Sequence, residues 1–381
     1  QHVGGSYSGL FKEEDKFSYA DYVPDATDRI GSIAFDKTQA SFYGRLSYDY
    51  KGKYLFNASI RRDGSSLFAP TYQWGTFPAF SAGWVFTKEN FFPQSVGKIM
   101  NYGKLRGSWG QNGSLSSVGL GEWLNSIGAG LIYPDANGGL LVGAAPTSLA
   151  YPQLTWETGE QFDIGLDLGF LDNRLNVTMD YYQKKTKDLL TGGVAPIFAG
   201  NVLRTVNAGN VENKGFEFDI SYRNRPKNAG ALSYEVGFNF STLKNTVTYL
   251  DPNTPILYGA GIGTGWSATA MQVGNPLWYF NGYKTQGIFQ TQAEINSYLS
   301  STGITGYNPK PGEPIVVDVN GDKQISPADM TRIGSPHPKF LYGGRVNLAY
   351  KGFDLLVFVQ GQAGNDILMG FNRTDRSTAN K

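Results

Sequence analysis

Oxygen-bearing side chains recur at alternate positions in Asp318-Val319-Asn320-Gly321-Asp322-Lys323-Gln324, with Asp329 following. Counting Asp318 as position 1, side-chain oxygens from Asp318, Asn320, Asp322 and Asp329 fall at positions 1, 3, 5 and 12, and Gln324 can offer its backbone carbonyl at 7. A hard cation collects oxygens around a tight turn at this spacing. The segment therefore reads as an EF-hand-like loop with Ca2+ as its candidate cofactor. It departs from that pattern twice. Lys323 stands where such loops place Gly, adding a cation and a side chain that resists positive φ. Asp329 replaces the usual Glu, so bidentate closure is shorter of reach. The same residues also describe a metal-free turn held by Asx hydrogen bonds. Both readings stay open, and either would rigidify a loop.

Trp123, Trp266, Trp278 and Tyr279 lie in long connections, where rings could stack on sugar faces or dock a partner protein. Packing within their own loops is the competing reading. Enzymatic constellations are missing. The chain has no Cys, and its only histidines are His2 and His337, the latter between Pro336 and Pro338. No nucleophile elbow or zinc-protease helix motif occurs. The glycines of 259–265 precede no credible helix and lack a P-loop Lys. Glu157, Glu160 and Asp163 have strand spacing and read as surface carboxylates rather than a glycosidase pair. A net charge of +1 gives no reason to expect nucleic acid.

The elements that must carry these residues are strands. Phe162, Ile164, Leu166, Leu168 and Phe170 alternate with Asp163, Gly165, Asp167 and Gly169, and after 171–174 the pattern resumes as Leu175, Val177, Met179 and Tyr181. A period of two gives one apolar and one wet face, at the length a tilted strand needs to cross a bilayer. Ten strands are expected at roughly 40–50, 54–62, 77–86, 104–110, 156–170, 175–187, 210–223, 232–243, 339–350 and 351–361. Short turns at 51–53, 172–174, 224–230 and 351–352 alternate with long segments at 63–76, 111–155, 188–209 and 244–338, and the 87–103 link is intermediate, with room for a short helix. Short turns at one end and long loops at the other describe an outer-membrane barrel. If all short turns share one side, 244–338 crosses the membrane an even number of times, most simply none. Its Trp278–Tyr283 stretch then lies outside the cell.

Composition agrees. Charged residues are 17% of the chain, below the globular norm of about 25%, and 24 Phe, 23 Tyr and 49 Gly suit many strands joined by turns. No apolar run reaches the length of a membrane helix. Tyr48, Tyr50, Tyr54, Phe170, Tyr350 and Phe353 cluster beside the short turns, where an interfacial aromatic girdle belongs. The wet faces carry Arg45, Ser47 and Asp49; Asn57, Ser59 and Arg61; Arg106 and Ser108; Asp163 and Asp167; Arg345 and Asn347, which would line a watery interior. The alternative from the residues alone is a soluble or surface-attached β-rich carbohydrate-binding or adhesion protein with a calcium-ordered loop.

Several blocks in order resemble the SusC/RagA type of TonB-dependent outer-membrane transporter: FYGRLSYDYKGKYLFNASIRRDGS at 42–65, LRGSWGQNG at 105–113, the stretch 154–190, NVENKGFEFDI at 210–220 and 318–367. The resemblance implies an all-β fold, with about ten antiparallel transmembrane strands of a larger plugged barrel, of 22 strands in such transporters. Along the chain it implies a lead-in at 1–39, barrel strands and loops at 40–243, an extracellular insertion at 244–338, and a barrel hairpin with a following loop at 339–381. Plug and terminal strands are expected outside this section. The implied function is TonB-driven import of oligosaccharides or peptides with a SusD-like surface lipoprotein, in the outer membrane of a Gram-negative, Bacteroidetes-type bacterium. Partners would be that lipoprotein, TonB through the missing N-terminal part, outer-membrane lipid and the cargo.

Overall fold

The computed structural model describes residues 37–116, 118–134, 139–193, 202–203, 205–224, 226, 231–259 and 267–368. The expected lead-in at 1–39 therefore lies almost wholly outside the described residues, as does Trp266. Alternating sequence becomes long strand: β1 (Gln39–Tyr50), β2 (Tyr54–Ser65), β3 (Trp74–Trp84) and β4 (Met100–Ser114) open the chain. A short helix, α1 (Gln94–Gly97), sits between the last two. The next long connection holds β5 (Ser126–Pro134) and β6 (Leu140–Leu149), and β7 (Glu157–Phe170) and β8 (Leu175–Gly192) follow. After β9 (Val202–Leu203) come β10 (Thr205–Asn224), β11 (Ser233–Thr242) and β12 (Lys244–Leu250). The insertion contains β13 (Ile256–Tyr258), β14 (Thr269–Gln272), β15 (Tyr279–Tyr283), β16 (Thr285–Ile288), α2 (Gln292–Thr302), β17 (Pro314–Val316) and β18 (Met330–Gly334). The hairpin β19 (Phe340–Tyr350) and β20 (Phe353–Ala363) completes the described chain.

Ten of these strands form one antiparallel wall in chain order, β1-β2-β3-β4-β7-β8-β10-β11-β19-β20. They are the ten expected from alternation, and their order puts the four short turns at one end, together with the longer β3–β4 link that holds α1, and the remaining connections at the other. Three turns need left-handed backbone, the first at Lys51 and Gly52 with φ of 57° and 61°. Lys351 and Gly352 both have positive φ (46° and 86°), as a two-residue hairpin requires, and Leu171, Asp172 and Asn173 all lie near 57°. Among the described residues no helix is long and apolar enough to cross a membrane.

Register decides which residues share a face. One row runs Leu166–Met179–Phe218–Phe240–Tyr342 across five strands, and another runs Tyr48–Phe56–Ala82–Gly107–Ile164–Tyr181–Phe216. Among the described residues this apolar face is left uncovered: Phe162 and Ile164 are 43% and 45% exposed, and Leu166 and Leu168 are half-buried. The girdle residues Tyr48, Tyr50, Tyr54, Tyr350 and Phe353 are exposed at the short-turn end, with the Tyr50 and Tyr54 rings 6.4 Å apart.

Buried cores lie at the other end. Phe68, Phe77, Leu154, Trp156 and Leu190 pack together under the loops above β2, β3, β7 and β8. Ala208, Val211, Val247, Leu250, Leu257 and Met271 form a second core, where the insertion stands on β10. Here β11 breaks at Leu243 and continues as β12, which pairs with the upper half of β10 while β11 pairs with the lower half. The insertion adds no strand to the wall order beyond this side pairing. Its own sheets run β13-β14-β15-β18 and β16-β17.

Candidate functional site

The carboxylate loop joins β17 to β18. Asp318 Oδ1 accepts from the Gly321 N–H at 2.7 Å and Oδ2 from that of Lys323 at 2.8 Å. Asn320 and Asp322 lock each other, the Asp322 N–H donating to Asn320 Oδ1 at 2.9 Å and Asn320 Nδ2 to Asp322 Oδ2 at 3.0 Å. The Gln324 N–H donates to Asp322 Oδ1 at 2.8 Å. Lys323 adopts φ of +64°, the left-handed conformation expected to strain a non-glycine there. Its carbonyl accepts from the Thr305 N–H at 2.8 Å, tying the loop to the segment after α2.

Asp329 is the hub. It is fully buried, caps a single 3-10 turn reciprocally with Ser326, and takes the N–H groups of Ser326 and Val319, each at 2.9 Å. The Ser326 N–H above all holds its carboxyl below the ordinary carboxylate range. Desolvation opposes this, and the Val319 and Asn320 amides and the Asp318 side chain reinforce it.

Carboxylate oxygens of Asp318, Asp322 and Asp329 all come within 4.8 Å of one another. Two oxygens bound to one Ca2+ at about 2.4 Å each can be no farther apart than about twice that, so the three fit a shared cation. Each carboxylate has acceptor capacity beyond its amide bonds. The same bonds also preform the loop without metal.

The loop aromatics separate. Trp123 is half-buried in the turn before β5. Trp278, half-buried with φ of +53°, packs against the core at the insertion's base. Tyr279 is 3% exposed, with its hydroxyl 3.3 Å from Gln272 Oε1. The last two pack within their own loop.

The polar side chains expected on the wet faces share one face by register. Ser47, Asn57, Ser81, Ser108 and Asp163 form one row across five strands. Ser47 Oγ donates to Asn57 at 2.8 Å, and Ser108 Oγ to Asp163 at 3.2 Å. Arg106 bridges Asp167 at 3.2 Å and Asp180 at 2.6 Å. Glu235 bridges Arg223 at 2.7 Å and Arg345 at 3.1 Å.

A sheet with ions on one face and an uncovered apolar band on the other, and with its loops gathered at one end, has the wall of a membrane barrel. Residues 1–322 match the family model described as TonB dependent receptor-like, beta-barrel.

The chain belongs to the TonB-dependent receptor β-barrel family.

TonB-dependent receptor P3 of Formosa agariphila is 33% identical over 357 residues, covering 93% of this chain and 35% of that protein. TonB-dependent receptor SusC of Bacteroides thetaiotaomicron is 28% identical over 352 residues, covering 91% of this chain and 34% of SusC. A structure of the RagAB peptide importer in the open-open state superposes with a TM-score of 0.68 at 20% identity, over 93% of this chain and 36% of that one. The chain spans about a third of the length of these relatives. TonB-dependent receptors are outer-membrane proteins of Gram-negative bacteria and are not enzymes.

Sequence reading missed Asp180, Arg223 and Glu235, which complete the ion clusters of this receptor wall. Only pairing register links them to Arg106 and Arg345, since the partners lie 74 and 110 residues away for Asp180 and Glu235.

Proposed function

We propose that this chain forms about a third of a TonB-driven importer of oligosaccharides or peptides, working beneath a SusD-like lipoprotein in the outer membrane of a Bacteroidetes-type bacterium. The observation that carries the reading is the apolar face held in register through ten strands and uncovered among the described residues. The likeness to SusC and to a peptide importer supports the cargo classes, and the relatives from Formosa and Bacteroides support the host. Inward ion clusters would face a water-filled passage, and the loop-bearing end would meet cargo and lipoprotein. Deleting the gene should abolish growth-linked uptake of at least one member of a panel of oligosaccharides and peptides, and a protonophore should do the same in the parent strain. Uptake that is unchanged in the deletion across the panel would overturn the importer reading.

We also propose that the loop at 318–329 holds Ca2+ through Asp318, Asn320, Asp322, Asp329 and the Gln324 carbonyl. The approach of three carboxylates without a Lys or Arg partner among the described residues supports this. Its role would be rigidity. Chelator should speed proteolysis within 318–329, and terbium should luminesce when bound there. An unchanged cleavage pattern with no bound lanthanide would leave the hydrogen-bonded turn alone.

A further inference from the structure

We propose that the cleft between β12 and the start of β19 seats the phosphate of an outer-leaflet lipid headgroup. This rests on reading the apolar face as lipid-facing. Where β12 leaves the line of β11, the wall opens into a cavity of about 710 Å3. Its lining brings together Lys214, Lys244, Arg332, His337 and Lys339, against Asp366 as the one acidic lining side chain. Asp366 is engaged already, accepting from the Ser335 N–H at 2.9 Å. Lys214 pairs with Glu212 at 3.0 Å, while Lys244, Arg332 and Lys339 have no ion pair among the described residues.

Two features select a lipid over a soluble anion. Lys214 and Lys244 are direct cross-strand partners on the outward face. Like charges placed opposite each other repel, and an anion between them removes that cost. Directly below, Phe216 follows Lys214 on the same face, and the Phe240 and Phe340 rings stack 5.8 Å apart. Rings at this level mark the headgroup boundary, so Lys214 and Lys244 sit where lipid phosphates lie. His337 donates from Nε2 to the Leu277 carbonyl at 2.8 Å, which fixes the far lip of the cleft.

The test uses the full-length polypeptide, purified in neutral detergent. It is titrated with phosphatidylcholine vesicles with or without lipid A, and separately with inorganic phosphate. Lipid A vesicles should bind more tightly than plain ones. The double variant Lys214→Gln/Lys244→Gln should weaken that preference roughly thirtyfold, at about one tenfold per 1.4 kcal/mol and about 1 kcal/mol per cation. Lys351→Gln, at the opposite end of the wall, should leave it unchanged. On the unaltered protein, a photoreactive lipid A should crosslink to peptides containing Lys214 or Lys244, which guards against a misfolded variant. Equal protection by inorganic phosphate would assign the cleft to a soluble anion and overturn the proposal. So would an unaltered lipid A preference in the double variant, or crosslinks elsewhere. Barrel insertion is read separately by detergent dependence, so the lipid site can fail while the importer reading stands.

Discussion

Arg106 holds two carboxylates at once, and one of them has little else. Asp180 Oδ1 is buried without a hydrogen-bond partner, so the 2.6 Å contact from Arg106 to its other oxygen offsets most of that carboxylate's desolvation. Arg106→Gln should destabilise the folded barrel by about 1–3 kcal/mol, because it leaves two half-buried anions facing each other. Arg345→Gln removes a more exposed partner from Glu235 and should cost less than about 1 kcal/mol. Denaturant unfolding in lipid vesicles would measure both, and equal losses would refute the ranking. Asp329 makes a pH prediction. Its folded pKa is depressed, so the stability it lends the loop is fully present above the ordinary carboxylate range. That stability is lost as pH falls through the depressed value. Pepsin should cut 318–329 increasingly as pH drops below the carboxylate range, and Asp329→Asn should be cut readily throughout. Identical acid profiles for the two proteins would contradict this.

Elements show why the wall was legible and the loops were not. Most wall strands have one face rich in aromatic and aliphatic side chains, so alternation locates them. The strand β12 went unread because Leu243 interrupts the pattern and the strand serves β10 rather than the next neighbour in chain order. α2 buries only Ile295, leaving no apolar stripe to find, although Thr291 caps the Glu294 N–H and Gly303 closes the helix at φ of +68°. Those capping signals were the readable ones. The carboxylate spacing of the Asp318 loop was visible for the same local reason, whereas the basic cleft gathers residues from five separate stretches. Gly215 marks the branch between β11 and β12. A Cβ there would run into the Thr242 carbonyl oxygen, a backbone atom that cannot swing away. Gly215→Ala should therefore cost about 1–3 kcal/mol in unfolding experiments, and a neutral result would mean the branch is pliable.

For the whole molecule, the two faces should respond differently to charge. Leu166, in the outward row, should tolerate Arg poorly, at about 2–4 kcal/mol near the bilayer centre. Asp163→Asn on the inward face should change stability by less than about 1 kcal/mol. Yields of detergent-resistant, vesicle-inserted protein would report the difference, and equal yields would undo the assignment of faces. Because each wall strand lies beside its chain predecessor, the ladder closes through local pairings whatever lies between them. The 244–338 excursion leaves and returns at adjacent strands, so it is a modular insertion in the wall. Grafting a foreign domain of similar footprint between Leu250 and Phe340 should alter what is recognised while the hydrogen-bonded staves beneath keep their alignment.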